Sequence, residues 1–149
     1  MDKRRNCRVM ASLVVVQRVR RLAAEVKVEE ALAEERTALA ASDAAHWSCE
    51  TAHQEWVSYI GRTSFSPEYS RALSRRLLDR EAEAQDAAAR ADRKGEARSS
   101  SQRDLLERHA QLRQTERSAR RMRRDVERRN EERKLAAAND RTTYVWWQQ

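Results

Sequence analysis

Helix-breaking residues are almost absent from this chain: its 149 residues include two glycines, Gly61 and Gly95, and one proline, Pro67. Gly61 and Pro67 bracket a single break near the middle. The stretches on either side are written mostly in Ala, Arg, Glu, Leu, Val and Gln, which enter a helix at the lowest cost. A chain with one turn signal folds as two long helices and little else. The expected fold is therefore all-α, a long antiparallel two-helix coiled-coil hairpin with a C-terminal overhang. Composition decides whether those helices enclose a core. Charged residues make up 37%, with three tyrosines and one phenylalanine, and alanine supplies much of the apolar content. Alanine buries little area, so a narrow helix–helix seam is expected rather than a compact interior.

The boundaries follow from local signals. One elongated hairpin is expected, with a first helix over about 8–60, a turn over 61–66, a second helix over 67–138 and a tail over 139–149. Gly61 is placed as a left-handed residue closing the first helix. Ser66, Pro67 and Glu68 form a start signal: a capping hydroxyl, a proline suited to the first helical position, and an acid that complements the helix dipole.

Two stripes define the expected seam. Val15, Val19, Leu22 and Val26 alternate spacings of four and three, as a coiled-coil seam requires. Leu32, Leu39, His46, His53 and Ile60 then recur every seven residues, with Glu35, Ser42, Cys49 and Trp56 between them. The change of stripe between Val26 and Leu32 predicts a stutter. In the second helix Leu77, Ala84, Ala91, Leu105, Leu112, Ala119 and Val126 share one register, interrupted by Arg98. Gly95 and Ser99–Ser101 predict a bend. Folding at about Ser64 brings together residues whose numbers sum to about 128. That sets Trp56 near Leu73, Trp47 near Ala82 and Ala84, Leu39 near Ala88, Leu32 near Gly95, and Val15 and Val16 near Leu112.

Several function classes find no residues to carry them. There is no phosphate-binding glycine loop, no Ser-His-Asp context and no recognisable acidic pair. The reading is a non-enzyme with no cofactor, metal or small-molecule substrate. His46, Cys49 and His53 share a helix face and could be offered to zinc, but no fourth ligand is evident opposite, and seam positions filled by mid-sized side chains are the simpler account. Cys7 and Cys49 fit no disulfide framework and read as reduced thiols of a cytosolic protein. The apolar run from Val9 to Val16 is too short to span a bilayer, and Arg18, Arg20 and Arg21 stand where a cleaved signal would need small residues. No membrane insertion and no export signal are expected.

The stretch from Arg117 to Lys134 is dense in positive charge: Arg117, Arg120, Arg121, Arg123, Arg124, Arg128, Arg129, Arg133 and Lys134 crowd one helix. Asp125, Glu127, Glu131 and Glu132 are interleaved, as on a solvated helix face with i,i+4 pairs. A basic end docking into an acidic protein pore is the functional alternative. A nucleic-acid-binding basic helix lacks the zipper that would follow it. The terminal Tyr144–Trp147 segment allows two readings, an anchor for a partner or a cap folded back on the hairpin.

The opening SLVVVQRVRRLAAEVKVEEALAEERTALAAS, the post-turn SPEYSRALSRRLLDRE and the arginine- and glutamate-rich second helix together resemble one family. It is the central-stalk family of type III secretion systems, the flagellar FliJ and injectisome YscO-like proteins. The resemblance implies a coiled coil like that of the rotary ATP synthase gamma subunit. It implies a cytoplasmic protein, peripheral to the membrane-bound secretion apparatus. The paired termini would enter a hexameric export ATPase and the tip would reach the cytoplasmic domain of the export gate. Some members also bind export chaperones. On this chain the resemblance assigns Tyr69, Leu73 and Leu77 to the gate. It assigns Arg18, Arg20, Arg21, Arg120, Arg121, Arg123 and Arg124 to the ATPase ring. A basic coiled-coil nucleic-acid-binding protein and a generic coiled-coil scaffold are the alternative classes.

Overall fold

The computed structural model describes residues 3–62 and 64–147; the side chains of residues 3, 4 and 142–145 lie outside that description. It is all-α, with α1 spanning Lys3–Ile60 and α2 spanning Pro67–Trp147. The two helices pack against each other as a helical hairpin. Both are longer than expected. No glycine or proline lies in residues 3–8 or 139–147, so nothing stops either helix, and the weak helix formers Asn139, Asp140 and Thr142 do not suffice. Contacts divide the chain into two units. The tip unit is Glu25–Asp104, and the terminal unit joins Met1–Ala24 to Leu105–Gln149.

In the tip unit the turn forms as its residues dictate, with one correction. Gly61 does not take a left-handed conformation. Its N–H still bonds the Val57 carbonyl at 3.3 Å, and the Arg62 N–H then bonds the Tyr59 carbonyl at 3.1 Å. The helix thus ends by tightening into a three-residue turn. The α2 start matches the sequence. Ser66 Oγ accepts from the Tyr69 N–H at 3.4 Å, and the Ser66 carbonyl accepts from the Ser70 N–H at 3.0 Å. Tyr59 binds the turn from the other side: the Ser66 N–H donates to its hydroxyl at 2.7 Å.

The α1 residues turned inward in this unit include Val28, Ala31, Glu35, Ala38, Ser42, Ala45, Cys49, Ala52 and Trp56, at unbroken spacings of three and four. No stutter occurs. Leu39 and Trp47 point to solvent, as do His46, His53 and Ile60, so the large-on-small pairings of Trp47 and Leu39 are not made. The reason is size. Ala31, Ala38, Ala45 and Ala52 recur every seven residues and let α2 approach, where leucine and histidine would hold it off. Across the seam α2 supplies Leu77, Ala84 and Ala91 in the expected register, with Leu73 one turn before them and Ala87 among them.

Ion pairs fix the antiparallel alignment of this unit. Arg76 meets Glu55 at 3.0 Å, Lys94 meets Glu34 at 2.6 Å and Arg98 meets Glu35 at 3.0 Å. Their numbers sum to between 128 and 133, within about a turn of the expected register. Arg98 therefore does not interrupt the seam but closes it with charge. Gly95 makes room: a Cβ there would lie 3.3 Å from Glu35 Oε1. It is thus Glu35, rather than Leu32, that approaches Gly95. α2 stays helical through Gly95 and Ser99–Ser101.

In the terminal unit α1 turns Val14, Gln17, Arg21 and Ala24 inward, and Leu105, Leu112, Ala119 and Val126 of α2 hold their expected register, with Leu112 buried. This overturns the expectation for Val15, Val19 and Leu22, and Val26 just inside the tip unit departs from it too: all four are more than half exposed. Arg18 reaches across to Glu116 at 2.9 Å on this same face, beside Val14, Gln17 and Arg21. Every residue described from 131 through 141 is exposed, as an overhang requires.

Candidate functional site

The arginines assigned from sequence do not form one surface. A shallow groove between α1 and α2 in the terminal unit is lined by Arg8, Arg18, Arg120 and Arg123, with Cys7 at one side and Glu116 in its wall. Arg21 adds to this field from the seam, because Glu116 feels Arg18, Arg120 and Arg21 together. Arg121 lies elsewhere, on a second shallow groove with His109, Arg113 and Arg117 of α2. Arg20 and Arg124 are exposed and line neither groove. The structure thus brings together Arg18, Arg21, Arg120 and Arg123, and separates Arg20, Arg121 and Arg124 from them.

Glu116 is the residue the sequence reading missed. The guanidinium of Arg18 donates to its Oε1 from both Nε and Nη2, at 3.3 and 2.9 Å. This charge-assisted fork holds the Glu116 carboxyl below the usual glutamate range, partial burial opposes it, and the charges of Arg18, Arg120 and Arg21 reinforce it. One acid among several arginines leaves the groove basic while fixing Arg18 in place. Its position three residues before Ala119 in the α2 register was the available signal.

At the tip Tyr69 is exposed and meets the Tyr59 ring edge-on, 4.7 Å between centroids. Phe65 is exposed and tilted against Tyr59 at 6.2 Å. Leu77 is half-buried, as expected. Leu73 is a correction to the gate assignment: it is only 7% exposed, so its side chain is not presented to a partner. The partner helix does not run out at Leu73, because α1 continues to Ile60 and Trp56 and Tyr59 are turned inward. The exposed aromatic residues at the tip are therefore Phe65 and Tyr69, with Val57 and Ile60 of α1 exposed as well. Phe65 went unread because the sequence offered it only as a turn residue.

His46 and His53 are exposed while Cys49 is turned into the seam, and no cluster of three or more His, Cys, Asp or Glu side chains suited to a metal forms among the described residues. Among those residues no helix is long and apolar enough to cross a membrane. Trp146 and Trp147 stand exposed on the continuing α2, so this part of the tail does not fold back; the Tyr144 side chain lies outside the described residues. The chain matches no family model, no curated protein and no solved structure.

Proposed function

We propose that the chain is a central stalk of a type III secretion export apparatus, coupling a hexameric export ATPase to the export gate. The carrying observation is the pairing of the chain's two ends in one basic unit, where Arg18 and Arg21 of α1 join Arg120 and Arg123 of α2. A helical hairpin presenting exposed arginines from both strands suits contact with acidic loops of a ring. Such contacts are screened and exchangeable, as a moving part needs. The exposed aromatics Phe65 and Tyr69 beside the turn of the tip unit are the residues for the gate's cytoplasmic domain. The protein would work in the cytoplasm, peripheral to the membrane-bound apparatus, and export chaperones are a further partner class in this reading.

The test is stimulation of the cognate export ATPase. Replacing Arg120, Arg121, Arg123 and Arg124 with glutamate is expected to abolish stimulation with helicity retained by circular dichroism. A variant that still stimulates but loses a steeply salt-dependent affinity for DNA would transfer the arginine helix to nucleic-acid binding.

A further inference from the structure

The terminal unit leaves its better coiled-coil seam open. On α1, Val9, Leu13, Val15, Val16, Val19 and Leu22 are 39 to 60% exposed. Val15, Val19 and Leu22 carry the alternating spacing of four and three that a partner helix reads. The seam that α1 does use in this unit, Val14, Gln17, Arg21 and Ala24, is the more polar of the two, and Gln17 Oε1 is buried there without a hydrogen-bond partner. Val15, Val19 and Leu22 are each more than half exposed on one stripe, and apolar side chains left open together are typical of a binding face.

Charge selects the occupant. Between Lys3 and Ala24 α1 contains no acidic residue, and Arg5, Arg8, Arg18 and Arg20 border or interrupt the stripe. A second copy laid along the same stretch would set arginine against arginine. An anionic membrane would meet a narrow stripe of valine and leucine with no aromatic residue in it, unlike helices that lie in a lipid interface. The geometry points to a third helix: we propose that the stripe docks an amphipathic helix of another protein, with Val, Leu or Ile at alternating spacings of three and four and Asp or Glu on both flanks. This goes beyond the stalk reading; of the arginines bordering the stripe, Arg8 and Arg18 also line the basic groove, and Arg18 already pairs with Glu116.

The probe is a designed helical peptide with a Leu/Val seam flanked by glutamate, compared with one flanked by lysine, titrated by fluorescence anisotropy against the full chain. The glutamate-flanked peptide is expected to bind more tightly by at least about tenfold, less so at high salt. Combined Val15→Ser, Val19→Ser and Leu22→Ser replacement should remove that binding with only a small change in the thermal melt, because all three are more than half exposed. Arg20→Glu, which leaves the stripe intact, should weaken it. Three results would overturn the proposal: equal binding or no binding of both peptides; self-association in sedimentation that the triple variant abolishes; or binding to phosphatidylserine vesicles that the triple variant abolishes.

Discussion

Glu116 and Leu73 show how single side chains set local behaviour. Because Arg18 depresses the Glu116 pKa in the folded state, the pair's contribution to stability is complete above the ordinary glutamate range. It declines as pH falls below that range and is gone below the depressed folded value. Melting temperature measured across the acid range should therefore fall more for the wild type than for Glu116→Gln, and added salt should shrink the difference. Leu73 acts through packing. Leu73→Ala removes one of the few buried side chains and is expected to cost about 2 kcal/mol in chemical denaturation. Gate binding per folded molecule should be unchanged. Tyr69→Ala should do the reverse, weakening binding with little change in stability, since Tyr69 is exposed and the Tyr59 hydroxyl still caps the turn through Ser66.

Among the elements, α2 was the more legible in sequence. Its seven-residue register from Leu77 to Val126 holds at every position, and the Ser66–Pro67–Glu68 start forms as expected. α1 was misread for a physical reason. Hydrophobicity favours Val15, Val19, Leu22 and Leu39 as seam residues, but close approach of two helices selects small side chains, and Ala31, Ala38, Ala45 and Ala52 take the inward face. Periodicity alone cannot choose between two stripes of equal period on one helix. Side-chain size decides it here, and cross-helix pairs such as Glu35–Arg98 that accompany the choice are invisible until both helices are placed. Gly95 illustrates the same point, since it makes room for Glu35 where a bend was expected. Its backbone has no left-handed conformation, and the only atom a new Cβ would crowd is the end of a flexible carboxylate side chain. Gly95→Ala should therefore raise stability by roughly 0.5–1 kcal/mol through helix propensity, read as a higher denaturation midpoint. A lower midpoint would mean that the Glu35–Arg98 pair cannot yield.

For the molecule as a whole, the fold and the candidate site were legible to different degrees. Two helices joined by one turn follow from the near absence of breakers, and the antiparallel register follows from the position of that turn. The candidate site was legible as composition only. Seven arginines could be named, but which of them converge depends on side-chain directions in the terminal unit, and there Arg18, Arg21, Arg120 and Arg123 gather around Glu116. The stalk proposal depends on this basic unit meeting an ATPase ring. The most direct measurement is site-specific photocrosslinking in cells that carry the export system, with a photoreactive side chain replacing Arg123 in the groove. The stalk account predicts a crosslink to the export ATPase, lost when the ATPase is deleted. Crosslinks to nucleic acid, or only to a second copy of the chain, would contradict it.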